Sequence, residues 1–206
     1  MTTTQVRRLD ESNIDDAADV VARAFFDDPL ERYMLPDDGA RLKASWARFR
    51  NVLRYGHLFG EVYTTAESLG ATAMWLPPGE TEMTDERMAK AGMFELPAIV
   101  GQEAFSRFIP VIDVFDELHA SDAPVPHWYL LVIGVDPSKQ RTGLGRALIE
   151  PMLTRADAEG VPCYLETANE TNLGFYTHLG FAIVTDIVES VSGLRLLTFR
   201  RDPPAS

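Results

Sequence analysis

Between Val135 and Arg146 the chain reads Val-Asp-Pro-Ser-Lys-Gln-Arg-Thr-Gly-Leu-Gly-Arg, an exit from an apolar run into a helical pattern by way of two glycines. Gly143 and Gly145 have no Cβ, so a ligand can come close to the backbone there. The first amides of a helix find no partner within it and carry the positive end of its dipole, which suits an anion such as phosphate. Lys139, Arg141 and Arg146 fall within eight residues, 139–146, that hold no acid. Taken alone, these residues also suit a glycine-rich turn with solvated charges. A Walker loop would need Gly-Lys-Ser/Thr after four spacers, which is absent. A dinucleotide fingerprint would need a third glycine where Leu148 stands and would open directly after the strand. Its one support is Glu166, an acid at the end of the next strand.

Glu166 has a reading of its own. A carboxylate at the C-terminal end of a central strand faces the crevice where α/β sheets bind ligands, and could take a proton from an ammonium. It could equally cap a loop amide. Cys163 reads as core. His57, His119, His127 and His178 have no metal-ligand spacing, so no metal is expected.

Several elements must position these groups. Val6–Leu9 reads as a strand and Asp15–Phe26 as a helix ended by Asp27-Asp28-Pro29. Arg41–Tyr55 reads as a second helix, followed by strands at 61–65 and 71–76. The stretch 77–126 reads as a partly helical insertion, with Met83, Met88 and Met93 filling irregular core space. His127–Val135 should be a central strand buried on both faces. Gly143–Glu159 should be a helix kinked or broken at Pro151. Pro162–Glu166, Leu173–Leu179, 182–188 and 194–200 read as strand, helix, strand, strand. The order implies an α/β sheet with a parallel pair at its centre.

The chain has 206 residues, about one domain's length, and an ordinary globular composition. Nineteen basic against thirty-one acidic residues give a net charge of −12, which argues against nucleic acid and anionic membranes as partners. A single cysteine fits a reducing compartment, and no signal-peptide pattern opens the chain. The expectation is a single cytoplasmic domain, 1–206, acting as a monomer or homodimer.

Gln140-Arg141-Thr142-Gly143-Leu144-Gly145 resembles the Gln/Arg-x-x-Gly-x-Gly/Ala signature of the GCN5-related N-acetyltransferase (GNAT) superfamily. A second family-like block follows in order: Leu165-Glu166-Thr167, Asn169, Asn172, then Phe175-Tyr176-Thr177-His178-Leu179-Gly180-Phe181. From His127 to Val184 the pattern is most similar to the puromycin N-acetyltransferase-like members.

The resemblance implies a mixed, mostly antiparallel sheet flanked by helices, its central parallel pair splayed to hold acetyl-CoA. It implies that the backbone of Ile133, Gly134 and Val135 follows the pantetheine arm, with the Val135 amide near the thioester oxygen. The loop from Gln140 to Arg146, Thr142 and Leu144 included, would hold the pyrophosphate, with Asn169 and Asn172 as further contacts. Tyr176 would protonate the departing thiolate, a transfer uphill by roughly 2 kcal/mol from a free phenol to a free thiol; a core tyrosine is the plainer alternative. Glu166 would be the base, and no covalent acetyl-enzyme is expected.

In relatives the turn after the first helix walls the acceptor pocket, which points to Asp28 and Glu31, with Phe26 and Tyr33 as aromatic alternatives. Asp28 replaces an aromatic residue of puromycin acetyltransferase, which favours a small cationic amine over puromycin. The insertion at 77–126 would cover that acceptor. A protein or peptide acetyltransferase and a CoA-binding module without turnover are the competing readings.

Overall fold

The computed structural model describes residues 4–66 and 68–204. Its frame is a seven-stranded sheet of β1 (Val6–Arg8), β2 (Glu61–Thr65), β3 (Ala71–Leu76), β4 (Trp128–Val135), β5 (Cys163–Thr167), β6 (Ala182–Val188) and β7 (Arg195–Arg201). The spatial order is β1-β2-β3-β4-β5-β7-β6. Every neighbouring pair is antiparallel except β4 and β5, which are parallel. The fold is therefore the mixed, mostly antiparallel α/β sheet expected, with β4 fourth of seven.

Strand alternation divides the core in two. One face carries Met74, Leu76, Tyr129, Val132 and Tyr164. α1 (Ile14–Ala24) and α3 (Asp38–Phe59) cover it through Ala17, Val21, Phe49 and Leu53. The other face carries Ala73, Trp75, Leu130, Cys163 and Leu165 under Leu148, Ile149 and Met152 of α7 (Leu144–Glu159). α8 (Leu173–His178) adds Tyr176 to the same side.

Two expectations need correction. Asp27-Asp28-Pro29 is not only a stop. Pro29 opens a further helix, α2 (Pro29–Met34), where its missing N–H costs nothing, and Asp28 caps it by accepting from the Leu30 amide at 3.0 Å. Pro151 does not break α7. Its ring lies on the exposed side while Leu148, Ile149, Met152 and Leu153 anchor the flanking turns in the core.

The insertion folds as α4 (Asp85–Ala91), α5 (Leu96–Val100) and α6 (Gln102–Asp122). Met83, Met88 and Met93 pack onto the core cluster. Val111 and Phe115 of α6 meet Leu30 and Tyr33 of α2 and Leu196 of β7.

Candidate active site

The parallel pairing of β4 with β5 stops after Trp128↔Cys163 and Tyr129↔Tyr164. Beyond that point β4 keeps only its β3 ladder, and a gap opens toward β5. The amide of Trp128 donates to Pro162 O at 2.9 Å, on the β5 side, whereas that of Asp136 donates to Gly70 O at 2.9 Å, on the β3 side. Successive residues of a strand point to alternate edges, so an even separation should send both the same way. The register explains why it does not. Met74 faces Val132 and Trp75 faces Leu130, which leaves Leu131 as an extra residue. This bulge inverts the alternation and turns the amides of Ile133 and Val135 into the gap.

The loop that follows is held open by its backbone. Arg141 has φ 62° and Gly143 has φ 91°, both left-handed. Gly143 caps α7 without a side chain to offer, so the amides of Leu144, Gly145 and Arg146 have no acceptor among the described residues. A Cβ at Gly143 would meet nothing within 4 Å. At Gly145 it would come within 3.2 Å of the Phe175 ring and 3.5 Å of Val135, so that glycine serves the close packing of α7.

Asp136 fastens the loop. Ser138 donates to it through its hydroxyl at 2.5 Å and its amide at 2.9 Å, and Arg23 pairs with it at 2.8 Å. These bonds, Ser138 first, hold its carboxyl at about 2. Gln140 donates to the Val135 carbonyl at 3.3 Å. The three loop cations diverge. Lys139 donates to Ser68 at 2.8 Å, Arg146 pairs with Glu150 at 2.6 Å, and Arg141 is exposed.

Gap and loop together bound a cleft of ≈ 820 Å³. Ile133, Gly134, Val135, Gln140, Arg141 and Gly143 through Arg146 line one wall, and Asn169, Asn172 and Tyr176 another. Thr142 does not line it; its hydroxyl donates to Lys139 O at 2.6 Å. Asn169, not Asn172, caps the turn before α8, accepting from Thr171 N at 3.1 Å.

Tyr176 borders the cleft with its ring packed between Phe175 and Phe199, at centroid distances of 5.3 and 5.4 Å. Burial, and then the negative charge of Asp28, push its phenol well up. Asp28 lies on the same cleft, where burial pushes its carboxyl up to about 6 against the Leu30 amide and Asn169.

Glu31, Phe26 and Tyr33 do not line the cleft. Glu31 is buried and engaged by Arg48 and Ser45. The Arg41 guanidinium lies over the Phe26 ring at 4.9 Å, and Tyr33 packs toward Val111 and Phe115. Of Asp28 and Glu31, the structure brings Asp28 to the cleft that Tyr176 borders, and Asp27 beside it lines the cleft as well.

Glu166 does not face the cleft directly. It lies on the α6 face of β5, accepts from the Tyr129 hydroxyl at 2.9 Å and stands 3.8 Å from His119 Nδ1. Burial pushes it up to about 8. Sequence reasoning missed Arg23 and the group of His119, His127 and Tyr129, because each acts across a long separation. The arginine's place at the end of a helix facing a Gly-Val-Asp-Pro turn was its only signal.

Among the described residues no three or more His, Cys, Asp or Glu side chains are grouped to hold a metal, and no helix is long and apolar enough to cross a membrane.

Residues 105–181 match the family model described as the acetyltransferase (GNAT) family. The chain is 26% identical over 180 residues to an uncharacterised N-acetyltransferase of Schizosaccharomyces pombe, a match spanning 85% of this chain and 73% of that protein. A solved structure titled as histone acetyltransferase HPA2 and related acetyltransferase, from Corynebacterium glutamicum, is similar at TM-score 0.66 and 21% identity over 100% of this chain and 99% of that one. Arylalkylamine N-acetyltransferase 2 from Aedes aegypti is similar at TM-score 0.63 and 12% identity over 98% and 99%. Both structural likenesses concern the fold.

Proposed function

This chain belongs to the GNAT superfamily of acetyltransferases, and from that premise we propose that it transfers the acetyl group of acetyl-CoA to the amine of a small cationic molecule by direct attack in a ternary complex. The observation that carries the acceptor reading is Asp28, a half-buried carboxylate on the cleft that Tyr176 borders.

The cleft suits the co-substrate on features of the chain itself: acceptor-free amides at Leu144 to Arg146, a left-handed Gly143, and a β4 edge turned outward by its bulge. Bound there, acetyl-CoA supplies an activated acyl group on a thiol leaving group. The amides of α7's first turn hold the pyrophosphate, and the open edge of β4 pairs with the pantetheine arm. Val135 borders the loop, whereas Ile133 lies one alternation deeper, so the Ile133 amide is the better placed to receive charge developing on the carbonyl oxygen.

Asp28 holds the acceptor's ammonium, being ionised above about pH 6. The phenol of Tyr176 hydrogen-bonds the sulfur as negative charge builds there. A phenol held above its ordinary value donates a strengthening hydrogen bond more readily than it gives up its proton. Glu166 is the base, reached through water because its carboxylate lies off the cleft with Oε1 buried. α2 and α6, packed through Leu30, Tyr33, Val111 and Phe115, close over the acceptor side and favour a small molecule over a peptide.

A panel of amines scored by thiol release tests this. Small cationic amines should be the best acceptors. A peptide N-terminus outperforming them would favour the protein-directed reading, and acetyl-CoA binding with no amine turned over would leave a binding module.

A further inference from the structure

α6 lays His119 against the end of β5, and the contacts there determine where each proton sits. His127 Nδ1 lies 2.7 Å from the Val125 carbonyl, which can only accept, so that nitrogen carries the ring's proton. Burial lowers the proton affinity of both imidazoles, His119 to about 4, so each ring has a single proton near neutrality. His127 Nε2 then offers a lone pair to His119 Nε2 at 2.7 Å, and His119 must carry its proton on Nε2. The bare Nδ1 of His119 is left facing Glu166 Oε1 at 3.8 Å.

Glu166 Oε2 already accepts from Tyr129, while Oε1 is buried without a hydrogen-bond partner among the described residues. An ionised Glu166 thus places two acceptors face to face with no proton between them. Neither is satisfied, and one added proton satisfies both once the side chains draw together from 3.8 Å to hydrogen-bond distance.

We propose that Glu166 and His119 act as one base, the proton taken from the acceptor's ammonium through a bridging water coming to rest between Glu166 Oε1 and His119 Nδ1. This rests on the transferase reading above. The ammonium gives a proton to the water, the water gives one of its own to Oε1, and the freed N–H electron pair stays on nitrogen for attack. His119 is a positioning residue, since it acts through Glu166. The other groups facing the pair are Asp116 and Asp122 of α6, Tyr129 of β4, Tyr164 of β5, whose ring stacks on His119 at 4.5 Å, and Arg200 of β7 beside His127. Burial first, and then the two aspartates, favour the proton's arrival, against the Tyr129 and Tyr164 hydroxyls, which favour the ionised carboxylate.

Two measurements test the pair. In the wild-type protein, ¹⁵N NMR at neutral pH should show His119 neutral with its proton on Nε2 and His127 with its proton on Nδ1. The opposite tautomers, or an imidazolium at His119, overturn the proposal. In pH profiles of kcat with a small amine, His119→Asn keeps an oxygen where Nδ1 stood and should hold the wild-type midpoint within about 0.3 pH unit. His119→Phe keeps a ring but removes the acceptor of the carboxyl proton, so its midpoint should fall by about half a pH unit or more. A midpoint in His119→Phe that stays or rises overturns the proposal. The NMR arm needs no turnover, so a protein that acetylates no amine refutes the transferase reading while the tautomers still judge the pair.

Discussion

Trp128 and Asp136 send their amides to opposite edges of β4, one to Pro162 and the other to Gly70, because a bulge at Leu131 inverts the alternation between them. The amides of Ile133 and Val135 consequently point into the cleft. Binding of acetyl-CoA should slow hydrogen exchange at Ile133, Val135, Leu144, Gly145 and Arg146, and leave Val132 and Gly134, already in the β3 ladder, nearly unchanged. Residue-resolved exchange with and without the ligand checks this, and protection at Val132 and Gly134 alone would reverse the assignment of edges.

Gly145 is expected to matter through packing. Its missing Cβ leaves room for Phe175, which such an atom would approach to 3.2 Å. Gly145→Val should destabilise the fold by about 1–3 kcal/mol and weaken acetyl-CoA binding by about tenfold, as α7 is displaced from the cleft. Adding Phe175→Ala should recover part of the stability, read as the denaturation midpoint. No recovery would show that the strain lies elsewhere.

Much of this architecture is legible in the residues. The apolar run at β4, the paired glycines before α7 and the order of the last elements follow from periodicity and turn chemistry. The bulge is not legible, because it lives in the register between β3 and β4. Pro29 reads as a stop because the residue before a proline leaves the helical region, yet the same residue opens α2. Glu31 looks like a pocket acid until the fold brings Arg48 to it from the next long helix. Glu166's strand end is legible, but α6, which covers it, comes from the stretch with the weakest pattern.

Tyr176→Phe keeps the ring that Phe175 and Phe199 pack against and removes only the hydroxyl. Acetyl-CoA affinity should stay within a few-fold while turnover falls by about 10²–10⁴. Single-turnover kinetics beside calorimetry separate the two, and unchanged chemistry would return Tyr176 to a packing role.

Asp28→Asn preserves the cap on Leu30 while removing charge. The KM of a cationic acceptor should rise by about 10–100-fold with little change in kcat. In the wild type, acceptor affinity should improve as pH rises through about 6, where Asp28 ionises, and the variant should lose that step. An acceptor KM indifferent to the substitution would remove Asp28 from the pocket.

Glu166 links stability to pH. Its carboxyl is raised from its ordinary value to about 8, so between those limits the folded state binds more protons than the unfolded state and stability falls as pH rises. The loss, at most roughly 5 kcal/mol, is complete above about pH 8. Glu166→Gln should flatten this fall in the denaturant midpoint across pH 5–9. A variant as pH-sensitive as the wild type would mean that Glu166 is ionised at little cost.

The central claim, direct transfer from acetyl-CoA to an amine while both are bound, is tested most directly by initial rates of thiol release over a matrix of acetyl-CoA and amine concentrations. The account predicts reciprocal plots that intersect, as a ternary complex requires. Parallel lines would indicate an acetylated enzyme, and thiol release independent of the amine would mean that no acceptor is used; either result contradicts it.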